Sequence, residues 1–287
     1  MRSMSQSTTQ SSTSGKVDSA LLRVGCVSFI NAKPLIEGFK SSADNPVRFE
    51  VPSGLLDGLE QREIDIALCP VIDYFRSKVP LTIVPSGGIG CCGATMTVRL
   101  YSQIPIEQIT QVYADTDSHT SVALLRVLLA EQYGIQPTLT DYNASAVSMS
   151  DDLSDRPQAM LLIGDKVVTD SPKAVNYPHQ LDLGETWAAL TGLPFVFAVW
   201  MAREGESLSD LPERLSDVRE HNAKRSDAIA DMYAPKHGWP KDLARKYLGK
   251  LMRYDIGKPE LTAIERFGAL AHKYKLIEQV RPLNLYQ

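Results

Sequence analysis

Two short polar stretches in this chain have the residue types and setting to hold a small anion. They are Ser28-Phe29-Ile30-Asn31 and Asp117-Ser118-His119-Thr120-Ser121. Each follows an apolar run, Leu21–Val27 in the first case and Gln111–Asp115 in the second, and each opens a helical pattern. A strand that ends in polar residues where a helix begins aims side-chain and backbone donors at one point. At the second stretch, the first-turn N–H groups of Ser118, His119, Thr120 and Ser121 and their side chains stand at the positive end of a helix dipole. Such an end receives a carboxylate, and plain N-capping by Asp117 or Ser118 is the alternative. Asn31 offers an amide that donates and accepts without titrating, and it equally suits an N-cap. Ser28 lies in the same stretch. Thr97 places a hydroxyl in a β-prone run, where packing alone also accounts for a β-branched residue. Asp165, in Leu161-Leu162-Ile163-Gly164-Asp165-Lys166, either caps the helix that follows or faces a cleft.

Other chemistries find less support. The five histidines, His119, His179, His221, His237 and His272, show no metal-ligand spacing, so no metal site is expected. The glycines of residues 86–93 match neither a dinucleotide nor a Walker loop, and they read as a turn-rich, hinge-proximal break. No GxSxG is present. Of the four cysteines, Cys26 and Cys69 lie in apolar runs as core thiols. Adjacent Cys91-Cys92 fits neither zinc nor CxxC chemistry, so a reducing compartment is expected.

The chain has 287 residues, 44% hydrophobic and 22% charged, with a net charge of −4. That balance suggests neither nucleic acid nor an anionic membrane as partner. Residues 1–20 are rich in Ser, Thr and Gln and lack an apolar core, so a disordered tail is expected rather than a signal sequence. No apolar run is long enough to span a bilayer, and the cytoplasm is the expected location.

Strand and helix patterns alternate, which predicts an α/β fold. Strands are expected at 21–28, 48–51, 64–68, 81–84, 94–101, 111–115, 137–142, 159–163 and 194–202. Helices are expected at 33–39, 54–62 (capped by Ser53), 71–76, 120–132, 185–190, 209–231, 240–252 and 259–275. The long runs at 94–101 and 194–202 read as strands crossing a hinge. The predicted organisation is two lobes, with residues 21–96 and 198–287 in lobe I, including a helical C-terminal segment, and residues 97–197 in lobe II. Hinged two-lobe folds bind ligand in the cleft between lobes.

Five segments, in order, resemble the chorismate dehydratase family: Arg23–Leu35, Glu63–Phe75, Asp117–Leu129, Leu161–Lys166 and Asp182–Trp200. The resemblance covers about residues 22–202 and weakens in the C-terminal helices. It implies the two-lobe fold of type II periplasmic solute-binding proteins and a cytoplasmic enzyme that needs no metal or organic cofactor. It further implies an aromatising elimination that converts chorismate to 3-[(1-carboxyvinyl)oxy]benzoate and water, within menaquinone biosynthesis. By that resemblance Asn31 and Thr97 are the polar pair near the reacting ring, and Thr120 and Ser121 hold a carboxylate. The chain departs from the family pattern at Thr97, where the family has serine, and at Cys92, where it often has aspartate. The sister enzyme that forms 1,4-dihydroxy-6-naphthoate is an alternative, although its early Pro-Asn-Asp motif is missing here. A non-catalytic small-anion-binding protein is a third reading. Oligomeric state is not legible.

Overall fold

A computed structural model of the chain describes residues 22–41, 46–115, 118–142 and 156–287. The expected tail at 1–20 and the candidate cap Asp117 lie outside the described residues. The chain opens with β1 (Val24–Cys26), a 3₁₀ turn (Ile30–Ala32), α1 (Lys33–Ile36), β2 (Arg48–Phe49), α2 (Pro52–Glu60), β3 (Ile66–Pro70), α3 (Val71–Arg76) and β4 (Leu81–Cys91). It continues through β5 (Val98–Ser102), β6 (Gln111–Asp115), α4 (His119–Tyr133), β7 (Thr138–Tyr142), β8 (Ala159–Ile163), α5 (Lys166–Thr169), β9 (His179–Asp182) and α6 (Leu183–Thr191). The last stretch holds β10 (Phe195–Arg203), α7 (Leu211–Ala223), α8 (Ser226–Tyr233), α9 (Lys241–Lys246), β11 (Met252–Arg253) and α10 (Lys258–Lys273).

The strands form two sheets, ordered β11-β4-β10-β3-β1-β2 and β7-β6-β8-β5-β9. The chain leaves the first sheet after Cys91, builds the second, and returns at Phe195. The result is the two-lobe α/β architecture. In the first sheet β1 runs parallel to β2 and β3, whereas β10 is antiparallel to β3 and β4. β3 is buried at all five positions, as its unbroken apolar sequence requires of a strand covered on both faces. One large core runs through both lobes; Trp187, Phe195 and Phe267 meet edge to face at its centre.

Several sequence expectations are corrected. Residues 85–90 are not a break, because β4 runs unbroken from Leu81 to Cys91 against β10. The glycines serve close approach: a Cβ on Gly88 would stand 2.6 Å from the Ala198 carbonyl oxygen, and one on Gly90 would stand 2.7 Å from that of Phe195. Register shifts in β10 accompany them. The run expected as strand from Ala94 is strand only from Val98, and the crossing residues 92–97 are irregular. Ser53 does not cap α2; Val51 stands at the N-cap, and Pro52 opens the helix where its missing N–H costs nothing. The expected helix 209–231 is broken at Lys224-Arg225 into α7 and α8. The expected helix 240–252 ends in a π turn, Tyr247–Leu251, before β11.

Gly88→Ala is expected to cost about 1–3 kcal/mol, since the methyl meets backbone that cannot move without breaking the β4–β10 ladder. Urea denaturation checks this, and an unchanged midpoint would mean that the ladder yields freely.

Candidate functional site

The first polar stretch follows β1. The 3₁₀ turn Ile30–Ala32 buries Ile30 and Ala32 and leaves Asn31 half-buried between them, with Pro34 fixing the first turn of α1. Asn31 donates from Nδ2 to the Tyr247 hydroxyl at 3.3 Å. Its Oδ1 is buried and has no partner.

The second component is the crossing segment. The Asp182 carboxylate accepts the N–H groups of Thr95 at 2.9 Å and Met96 at 2.6 Å. It also accepts those of Gly184 and Glu185, both at 3.1 Å, and so caps α6. Met96 is held at φ 66°, a left-handed conformation that a side chain disfavours. Backbone donors spent on Asp182 are not available to a strand ladder, which is why the strand starts only at Val98. Thr97, 2% exposed, then meets the Tyr247 hydroxyl at 2.9 Å.

Tyr247 opens the π turn after α9, a helical irregularity that recurs at functional sites. Its ring lies 4.9 Å from that of Trp239. Burial pushes its phenol well above the ordinary tyrosine range, and the bonds to Thr97 and Asn31 offset this only in part. It is therefore a neutral hydroxyl at any ordinary pH. Asp165 stands behind this arrangement. Its carboxylate accepts from Trp239 Nε1 at 2.8 Å and from His237 Nδ1 at 2.7 Å. Asp165 neither caps α5 through its side chain nor lines the cavity described below. Its carboxylate instead supports Trp239, beneath Tyr247.

The third component is the start of α4. Ser118 is the N-cap, accepting the Ser121 N–H at 3.3 Å, and the two hydroxyls lie 3.0 Å apart. Capping and an open donor set coexist, because only one of the first-turn N–H groups is used by the cap. Thr120 turns away. Its hydroxyl is fully buried and accepts the N–H of Ile72 at 3.3 Å, an orphan donor in the first turn of α3. Thr120, expected at a carboxylate, is thus not among the residues that line the cavity. His119 Nδ1 meets the Asp73 carboxylate at 3.1 Å.

Asn31, Thr97, Ser118 and Ser121 line one cavity between the lobes, together with Thr95 and Tyr247. Apolar walls come from Phe29, Leu68, Ile163 and Phe197, among others. The space, counted out to its open mouth, is about 660 Å³. An adjoining chamber shares Phe29 and Pro52 and is lined by exposed Ser28 and by His119. So four expected residues converge, Ser28 and His119 stand next door, and Thr120 and Asp165 act from behind. Among the described residues, no cluster of three or more His, Cys, Asp or Glu side chains could hold a metal, and no helix is long and apolar enough to cross a membrane. Cys26 and Cys91 are buried thiols that burial pushes up to about 12, so neither is a nucleophile at neutral pH.

Sequence reasoning missed Tyr247, Thr95, Asp182 and Trp239. Tyr247 and Trp239 lie in a stretch rich in Lys and Arg, where no local pattern marks an inward-facing aromatic pair. A Pro-Lys-Asp start after Trp239 marks the helix, but nothing in the sequence marks the π turn.

The His119–Asp73 pair predicts a pH dependence. The Asp73 hydrogen bond raises the His119 pKa above its ordinary value, against an opposing effect of burial. A raised folded-state value means stabilisation that is fully present below the unfolded value of about 6.5 and is lost as pH rises through the folded value. Thermal midpoints of the wild type should therefore fall, relative to those of His119→Gln, as pH rises above about 6.5. Parallel profiles for the two proteins would remove this pair from the account.

The model for the menaquinone biosynthesis family matches residues 22–273. A chorismate dehydratase from Thermus thermophilus is 27% identical over 264 residues, covering 85% of this chain and 93% of that protein. A chorismate dehydratase from Campylobacter jejuni is 26% identical over 239 residues, covering 83% of this chain and 88% of that protein. In fold, the chain is similar to the periplasmic aliphatic sulphonate binding protein SsuA from Escherichia coli, with TM-score 0.62 and 14% identity, covering 90% of this chain and 94% of that one. The match to the family model spans nearly all of the described structure, and the chain belongs to the menaquinone biosynthesis family.

Proposed function

We infer that the chain is a chorismate dehydratase, a hydro-lyase that converts chorismate to 3-[(1-carboxyvinyl)oxy]benzoate and water. The observation that carries this reading is the convergence of Asn31, Thr97, Ser118 and Ser121 on one interlobe cavity, in a chain similar to two chorismate dehydratases.

The chemistry fits the donor set. Chorismate is a dianion, and the cavity meets it with neutral donors. The start of α4 supplies free N–H groups and the Ser118 and Ser121 hydroxyls for one carboxylate, with a dipole contribution of about 0.3–1 kcal/mol and up to ~2 when partly buried. Asn31, Thr97 and Tyr247 surround the reacting ring. Among the described cavity-lining residues Tyr247 alone is titratable, and it stays protonated. A protein base at neutral pH is thus lacking among them, which supports substrate assistance. The substrate's own enolpyruvyl carboxylate takes the proton from the ring carbon that bears the ether. The adjacent carbon–oxygen bond then breaks, and the departing hydroxide gains a proton to become water. The ring becomes aromatic, so the step needs positioning and electrostatic support more than a strong acid or base. Thr97 keeps the hydroxyl of the family serine, and its buried contact with Tyr247 fixes the stiffer rotamer.

The test is to mix the purified protein with chorismate and follow products by liquid chromatography and mass spectrometry. A species lighter by one water with aromatic absorbance is expected. Unchanged chorismate with folded protein would sink the reading, and calorimetric titration would then identify a binding-only protein. In the active protein, Asn31→Ala is expected to lower kcat about a hundredfold with the melting temperature retained. Full activity in that variant would remove Asn31 from the reaction. Tyr247→Phe is expected to lower kcat about tenfold with KM nearly unchanged, since the phenol acts through Thr97 and Asn31. An effect on KM alone would make it a binding group instead.

A further inference from the structure

Two residues that line the cavity each carry a buried polar atom without a partner: Asn31 Oδ1 and Thr95 Oγ1. The first is an acceptor. The second both donates and accepts. Buried polar atoms are almost always satisfied, so an orphan pair in one cavity describes the group that belongs there. That group must donate to Asn31 and accept from, or donate to, Thr95. A hydroxyl on the ligand does both.

Thr95 itself is an odd residue for its place. It is fully buried, and its neighbours in the cavity wall are largely apolar. Valine has the same shape and would leave nothing unsatisfied. The backbone at this point is also held at a cost. Asp182 takes the N–H of Thr95 and of Met96, and Met96 is left at φ 66°. Strain of this kind persists where the surroundings over-determine it, and it clusters at ligand sites. Its effect here is to put Thr95 and Thr97, two residues apart, on the wall of the same cavity. Thr97 is already engaged with Tyr247, whereas Thr95 is not.

We propose that Thr95 is a second catalytic hydroxyl, which donates a hydrogen bond to the ring hydroxyl of the substrate while that hydroxyl donates to Asn31 Oδ1. The inference rests on the dehydratase reading above. As the carbon–oxygen bond breaks, negative charge grows on the departing oxygen, and a preplaced neutral donor strengthens its bond to it. Thr95 keeps its proton throughout; the proton that completes water is the one removed from the ring carbon.

The experiment compares wild type, Thr95→Val and Thr95→Ser for turnover of chorismate, for affinity and for thermal midpoint. Thr95→Val should lower kcat/KM by about tenfold to a hundredfold while its midpoint is unchanged or higher. Thr95→Ser should restore most of the loss. Affinity for the benzoate product, which lacks the ring hydroxyl, should be the same in wild type and Thr95→Val. Equal kinetics in wild type and Thr95→Val, or a lowered midpoint that serine does not repair, would overturn the role. If valine cannot be accommodated, Thr95→Ala is read by the same criteria. Wild-type protein that neither turns over nor binds chorismate would instead overturn the functional reading and this inference with it.

Discussion

A single carboxylate ties the second sheet, α6 and the crossing segment to the cavity wall. Asp182 ends β9, caps α6 and captures the N–H groups of Thr95 and Met96. Four backbone donors on one buried group are hard to replace, because each would otherwise lie in a poorly hydrated interior. The geometry that follows is fixed by this capture: the crossing segment is bent away from strand, Met96 is forced left-handed, and two threonine side chains face the cleft. The β5 strand, the α6 helix and the cavity wall thus share one anchor. Arg99 adds its guanidinium 3.6 Å from the same carboxylate.

The cavity is lined by residues without formal charge. The protein carries a net charge of −4, so its overall field does not attract an anion. Reception falls to dipoles: the α4 N-terminus, the Asn31 amide and a set of hydroxyls. Fixed dipoles in a site with apolar walls are effective, because they need not reorganise as charge moves within a ligand. The charged pairs lie one layer out. Asp165 steadies Trp239, and Asp73 steadies His119, so formal charges set positions while neutral groups face the cavity. Tyr247, itself on the cavity wall, meets both Asn31 and Thr97 through its hydroxyl.

The alternation of elements and the two-lobe class were legible because apolar runs such as Ile66–Pro70 and Gln111–Asp115 are bounded by clear polar punctuation. Asn31, Ser118 and Ser121 were legible for the same reason: a polar residue at a strand-to-helix junction is visible in one dimension. What failed was whatever depends on a distant partner. Gly87-Gly88-Ile89-Gly90 reads locally as a turn, yet Gly88 and Gly90 answer the carbonyls of β10, more than a hundred residues away in sequence. Thr120 reads as a ligand donor, and nothing local shows that its hydroxyl accepts the Ile72 N–H in the first turn of α3. Tyr247 sits among lysines and arginines, yet it is buried at the start of the π turn. Asp182 carries no local sign that it will hold the segment bearing Thr95.

The π turn has one more consequence. A π turn accommodates an extra residue in a helix without lengthening it by a full step. Each α-helical residue advances the side chains by about 100°. Were the segment Tyr247–Leu251 shortened by one residue to a regular helix, Tyr247 and β11 could not both keep their present directions. Either the hydroxyl would leave Asn31 and Thr97, or Met252 would leave its pairing with Cys91. Chain length between Trp239 and Met252 is therefore constrained as tightly as residue type, and insertions or deletions there should be rarer than substitutions at its exposed lysines.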